Sequence, residues 1–166
     1  MNPNTVAIVQ ARVGSTRLPG KVLKDLVGLP LLARVVRRTA RASRPDEVVV
    51  AIPEASTDDS LARLCHAYGW PCFRGSEDDV LDRYYRAATE YGAESVVRIT
   101  SDCPLVDPGI VDQVVDLFLQ GEWDYVSNTL APRTYPRGLD VEVFTFDALR
   151  LAWKEDSNPA WREHVT

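Results

Sequence analysis

Residues 6–23 read V-A-I-V-Q-A-R-V-G-S-T-R-L-P-G-K-V-L, and this stretch decides the fold. Val6 to Val9 is an apolar run of strand length, too short and too β-branched for a helix. It gives way to a loop carrying Arg12, Gly14, Ser15, Thr16, Arg17, Pro19, Gly20 and Lys21. Three fixed cations, two glycines and two hydroxyls therefore follow directly on a buried strand. Glycine lets backbone amides approach an anion closely, and Arg and Lys neutralise its spread charge. This is the composition of a polyphosphate cradle, with a solvated basic turn as the plain alternative. Two familiar cradles are excluded. The dinucleotide pattern G-x-G-x-x-G is absent. The pattern G-x-x-x-x-G-K-[ST] fails because Gly14 and Gly20 are one residue too far apart and Val22 stands where the metal-binding hydroxyl belongs.

Outward from the cradle, strands and helices alternate. L-L-A-R-V-V-R-R-T-A-R-A over 31–42 predicts an amphipathic helix, Leu31, Leu32, Val35, Val36 and Thr39 facing inward and Arg34, Arg37, Arg38 and Arg41 facing water. Residues 47–53 form a second apolar strand, and Thr57-Asp58-Asp59-Ser60 supplies the cap and acidic first turn of a helix over 60–68. His66 near its end carries no assigned chemistry. A third strand over 70–74 leads through Gly75-Ser76-Glu77-Asp78 into a helix over 79–91, whose core stripe is Val80, Leu81, Tyr84, Ala88 and Tyr91. Arg74, Asp79 and Arg83 fall off that stripe. Asp79 reads as a cap, and Arg74 and Arg83 read equally as surface charges or as groups facing an anion at the helix start.

The fourth strand, over 95–100, runs into T-S-D-C-P-L-V-D-P. An aspartate at a strand's carboxyl end projects into the crevice where open α/β sheets bind ligands, so Asp102 is the metal-ligand candidate, with Ser101 beside it. Mg2+ takes one or two carboxylates together with substrate phosphates, which suits one acid beside a phosphate cradle. Asp107 before Pro108 reads as the cap of a helix over 108–120. A short strand over 123–126 precedes a Pro-rich turn and a strand over 139–144. Its alternation puts Leu139, Val141 and Val143 on one face and Asp140 and Glu142 on the other. Those two acids can be a second metal site, acceptors for sugar hydroxyls, or solvent-exposed charges. A last helix is expected over 146–155.

The 166 residues, 45% hydrophobic, suffice for one domain with a real core. A net charge of −5 argues against a general nucleic-acid binder but not against binding one nucleotide where basic residues cluster. No run has the length of a signal peptide or a membrane span, which points to the cytoplasm. Cys65, Cys72 and Cys103 are odd in number and lack C-x-x-C spacing, so neither a disulfide framework nor a zinc site is expected. The alternation of elements predicts a three-layer α/β sandwich around a mostly parallel sheet.

Q-A-R-x-x-S-T-R-L-P-G-K-V-L resembles the N-terminal signature of the cytidylyltransferases that activate acidic sugars, above all the spore-coat polysaccharide and acylneuraminate branch. R-G-S-E-D-D-V-L-D-R-Y, the D-x-P block at Asp102 and P-x-G-x-D-V-E-V extend the resemblance along the chain. It implies a nucleotide-diphosphosugar transferase sheet, Rossmann-like, with one antiparallel strand. The implied reaction transfers CMP from CTP to a sugar acid and releases pyrophosphate, with Mg2+ held by Asp102, for surface polysaccharide or glycan synthesis. Gln10, Ala11, Arg12, Gly14, Ser15, Thr16, Arg17, Lys21, Arg74, Arg83 and Ser101 are the nucleotide-binding candidates, Arg12, Lys21 and Asp102 the catalytic ones. Arg137, Asp140 and Glu142 are implied on the sugar side, and relatives commonly form homodimers. In this family R-E-H-V-T, here 162–166, opens a further segment, so 1–166 reads as a single nucleotidyltransferase domain without its C-terminal portion. The rival readings are a nucleotide-binding module without turnover and a sugar-nucleotide-dependent glycosyltransferase.

Overall fold

The computed structural model describes residues 3–15 and 18–166. Strand β1 (Thr5–Gln10) is buried along nearly its whole length because it lies inside the sheet, covered on both faces. The sheet has six strands in the order β3-β2-β1-β4-β6-β5, with β2 spanning Glu47–Pro53, β3 Cys72–Gly75, β4 Ser95–Thr100, β5 Tyr125–Ser127 and β6 Glu142–Thr145. The first four are parallel, and β6 runs antiparallel to both β4 and β5. This is the expected mostly parallel mixed sheet with one reversed strand.

Residues of each strand alternate between two cores. Ala7, Val9, Val50, Ile52, Val97 and Ile99 pack beneath helices α1 (Leu31–Thr39), α2 (Asp59–Tyr68) and α4 (Pro108–Leu119). Val6, Ile8, Val49, Ala51 and Val96 face α3 (Val80–Glu90) and α5 (Phe146–Glu155). Three layers result. Each fully buried Val, Leu or Ile contributes about 1.5–3 kcal/mol of transfer free energy.

The chain leaves β1 toward β2 on one side, whereas β4 lies on the other side of β1. That reversal opens a crevice at the carboxyl ends of β1 and β4, where Gln10 and Thr100 stand in register. Both chemically loaded loops, the one after β1 and the one after β4, therefore meet at one place.

Several boundaries differ from expectation. Helix α1 stops at Thr39 rather than Ala42. Its arginines are largely spent on neighbours: Arg34 Nε donates to Leu26 O (2.9 Å) and Arg38 Nε to Val106 O (2.6 Å). Strand β6 begins at Glu142 and not at Leu139. The Asn128 side chain takes the place of a strand partner there, donating to Leu139 O and accepting from Val141 N–H. The alternation itself holds, with Val141 and Val143 in the first core and Glu142 opposite. Residues 56–58 form a 3-10 turn before α2, and Asp58 makes no side-chain bond to that helix. Asp107 caps α4 as expected, accepting from Gly109 and Ile110 N–H. A short helix α6 (Pro159–Arg162) folds the last residues back over the crevice.

Candidate active site

The crevice encloses about 280 Å³. Of the expected residues, Gln10, Ala11, Arg12, Gly14, Ser15, Lys21, Arg83, Ser101 and Asp102 all line it. Thr16 and Arg17 lie outside the described residues. Val22, Val80, Arg98, Thr100, Glu163 and His164 complete the wall.

The strand ends are stitched together above the sheet. Ser101 N–H donates to Gln10 O (3.1 Å) and Ala11 N–H to Ala51 O (3.0 Å), so the backbone around Gln10 and Ala11 is fixed on both sides. The loop after β1 then turns back on itself, Gly20 N–H donating to Val13 O at 3.1 Å. Gly20 adopts φ +66°, a left-handed conformation that glycine takes without a Cβ clash. A one-turn 3-10 helix, Lys21–Leu23, follows and buries Val22, which orients Lys21 toward Asp102. The Lys21 ammonium donates to Asp102 Oδ2 at 2.8 Å. Desolvation works to raise the Asp102 carboxyl, but the Lys21 and Thr100 hydrogen bonds outweigh it and hold the group below its usual range.

Arg83 is the least ordinary member of the site. It is 2% exposed, and among the described residues no carboxylate lies in ion-pair range of it. Its Nη1 donates to Ser76 O, and among the described residues its buried Nε has no partner. Burial, with help from the nearby Arg12, pulls its pKa down from the ordinary arginine value. Gln10 Oε1 and Arg98 Nε are likewise buried without partners. A crevice whose walls hold unpaired polar atoms is built for a polar occupant. Its four basic side chains, Arg12, Lys21, Arg83 and Arg98, outnumber Asp102 and Glu163, which suits the crevice to an anion.

Not every candidate arrives at the crevice. Arg74 turns away, donating to Glu54 O and Ala55 O and pairing with Asp59 at 2.8 Å. It ties β3 to the start of α2 and does not line the crevice. Arg137, Asp140 and Glu142 do not line it either. Asp140 pairs with Arg133. Glu142 is committed to Arg98 Nη1 and also accepts from the Tyr125 hydroxyl (3.1 Å) and the Thr166 hydroxyl. It stands behind Arg98 as a counter-charge and is not a free acid. Asp79 behaves as a cap, accepting from Asp82 N–H (2.8 Å), and its other oxygen holds Arg162 Nε at 2.8 Å. Glu163, at the chain end, reaches to 3.9 Å from Arg12.

Arg98 went unnoticed in the sequence, although a charged residue interrupting S-V-V-R-I-T is a signal. Period two places it on the same face as Thr100. Asp58 also escaped notice, because four polar residues before a helix read as capping.

The residues present fit a hard divalent cation that arrives with phosphate ligands. Asp102 offers an oxygen-only donor at the crevice, half exposed, beside amides and cations that would hold phosphate oxygens. Among the described residues no cluster of three or more acidic, histidine or cysteine side chains forms an all-protein cage.

Comparison with known proteins comes to the same place. The profile of the cytidylyltransferase family matches residues 6–166. The chain is 36% identical over 167 residues to the spore coat polysaccharide biosynthesis protein SpsF of Bacillus subtilis, covering 96% of this chain and 67% of that protein. It is 39% identical over 114 residues to the 3-deoxy-manno-octulosonate cytidylyltransferase of Geobacter sulfurreducens, covering 68% of this chain and 44% of that one. The chain thus spans about two thirds of the first relative and under half of the second. A solved cytidylyltransferase from Leptospira borgpetersenii superposes with a TM-score of 0.93 at 36% identity, covering 99% of this chain and 69% of that one. No described helix is long and apolar enough to cross a membrane.

Proposed function

The chain belongs to the cytidylyltransferase family, and from that premise we propose that its crevice binds CTP and transfers CMP to a sugar acid, releasing pyrophosphate. The observation that carries this reading is Arg83, a buried guanidinium facing the crevice with no carboxylate paired to it among the described residues. An unpaired buried charge is costly, and a polyphosphate beside it relieves the cost.

In this reading Arg12, Lys21 and Arg83 neutralise the triphosphate, and backbone amides from Gly14 onward add donors, with Thr16 and Arg17 assigned to the same group. Gln10 and Ala11 meet the base. The buried, unpartnered Gln10 Oε1 is an acceptor suited to the exocyclic amine that distinguishes cytosine from uracil. The anomeric hydroxyl of the acceptor attacks the α-phosphorus, forming a P–O bond as the bond to pyrophosphate breaks. The hydroxyl proton leaves to solvent. Positioning and charge neutralisation supply the acceleration, since no covalent chemistry is asked of the protein. Asp102 would hold Mg2+, which when bound would stabilise charge on the phosphate oxygens. Arg98, which lines the crevice and is backed by Glu142, is the cation we assign to the acceptor's carboxylate. Arg137, Asp140 and Arg74 lie outside the crevice wall, and the reading gives them no direct contact with the nucleotide. The relatives' printed roles, octulosonate activation and spore-coat polysaccharide synthesis, support a sugar-acid acceptor for surface glycans.

Titration calorimetry with CTP, UTP, ATP and GTP, with and without Mg2+, tests the reading on the wild type and on Asp102→Ala. The expected result is a preference for CTP, strengthened by Mg2+ and weakened in the variant. Absence of any CTP preference in the folded chain would overturn it. Pyrophosphate release on adding a sugar acid then separates an enzyme from a nucleotide-binding module.

A further inference from the structure

We propose that Asp58 is the positioning residue of the cradle: it fixes Val13, the neck closed by the Gly20 N–H bond, and so holds the amides of Gly14 and Ser15 in place for a nucleotide. This rests on the nucleotide reading above. Both backbone groups of Val13 are engaged. Its N–H donates to Asp58 Oδ1 at 2.7 Å, and its carbonyl accepts from Gly20 N–H at 3.1 Å. Val13 is therefore the neck of the loop: its side chain packs against the core, and Asp58 supplies a hydrogen bond that ties the neck's backbone to a different part of the chain, 45 residues away.

The carboxylate is an unusual choice for this place. Asp58 is 1% exposed, and among the described residues no lysine or arginine lies in ion-pair range of it. Its second oxygen accepts from the Thr57 hydroxyl at 3.0 Å. A residue at the start of α2 would ordinarily cap that helix, yet Asp58 makes no side-chain bond to the α2 amides. Neither acceptor serves its own helix: Oδ1 reaches the cradle at Val13, and Oδ2 takes the neighbouring Thr57 hydroxyl. A hydrogen bond to a charged acceptor is stronger than one to a neutral acceptor. A loop held in its binding shape before the ligand arrives loses less freedom when the ligand binds. The field of Asp58 also reaches Arg83, so the same acid steadies the buried cation of the site.

The test compares Asp58→Ala with Asp58→Asn, which keeps an acceptor oxygen for Val13 N–H. Three readouts are taken on each folded variant: CTP affinity by calorimetry, the KM against kcat split where turnover is seen, and amide hydrogen exchange of the peptide spanning residues 10–20. In Asp58→Ala, CTP binding weakens roughly tenfold, the cost of leaving a buried donor unmatched. The loss appears in KM, and the 10–20 peptide exchanges faster. Asp58→Asn restores both to within about threefold. Should Asp58→Ala fail to fold, Asp58→Glu replaces it, because the added methylene displaces the acceptor and must weaken CTP in the same way. Equal CTP binding and equal exchange in the wild type and Asp58→Ala would overturn the role. So would an Asn variant as damaged as the Ala variant. A wild type that binds no CTP overturns the nucleotide reading, and the exchange measurement still decides whether Asp58 holds the loop.

Discussion

The Lys21 ammonium lies 2.8 Å from Asp102 Oδ2, joining the loop after β1 to the turn after β4 across the mouth of the crevice. Lys21 neutralises the carboxylate that a divalent cation would use, so Lys21 and a metal would compete for Asp102. Lys21→Met is expected to bind Mn2+ alone more tightly than the wild type, and to bind CTP more weakly, because the cradle loses a cation. Mn2+ binding followed by electron paramagnetic resonance, beside CTP calorimetry, checks both directions. Weaker Mn2+ binding in the variant would remove the competition.

The pair also sets a pH dependence. Asp102 titrates below its ordinary value of 3.8 in the folded chain, so the folded state binds its proton less readily than the unfolded state. Its contribution to stability is fully present above about pH 4 and is lost as pH falls through the folded value. Because both partners are substantially exposed, the contribution is small. Carboxyl NMR titration should find the Asp102 midpoint below 3.8 in the wild type and shifted upward in Lys21→Met, where burial acts with one fewer opposing charge. No change in Asp102 ionisation is expected between pH 6 and 9.

Arg83→Met separates function from stability. The substitution removes a buried cation without a carboxylate partner and keeps an unbranched apolar stem. Stability is expected to fall by no more than about 1 kcal/mol, the worth of the bond to Ser76 O. CTP affinity is expected to drop by about 1.5–3 kcal/mol, ten- to a hundredfold, through loss of charge-assisted bonds. Urea melts and calorimetry on one preparation decide the matter, and a large loss of stability with unaltered CTP binding would refute the assignment.

Asp79 holds two elements at once, the first turn of α3 and, through Arg162, the segment that folds over the crevice. Asp79→Ala is expected to cost about 1 kcal/mol for the lost cap. It should also speed hydrogen exchange in residues 156–166, since Arg162 keeps only its bonds to the carbonyls of Trp153 and Asp156. Asp79→Asn should restore the cap but only part of the protection at Arg162.

Much of this was legible in the chain itself. The β-branched run 6–9, the alternation of strands and helices and the cap at Asp107 are local signals, written in periodicity and turn chemistry that act over a few residues. The cradle composition and the position of Asp102 at a strand end pointed, for the same reason, to loops that the fold brings together at one crevice. What the sequence alone could not decide is which polar groups are already spoken for. Arg74, Glu142 and Asp140 have the residue types of ligand-binding groups, but Asp59, Arg98 and Arg133 claim them, and those partners are brought up by the order of the sheet and the course of its loops. Asp58 reads as a helix cap until β1 and β2, parallel and in register, set it beside Val13. Arg98 becomes a crevice residue only because β4 sits next to β1. Sequence fixes what each side chain can do, because chemistry and periodicity are local. Tertiary structure decides whom it meets, because sheet order is set by the burial of both faces at once.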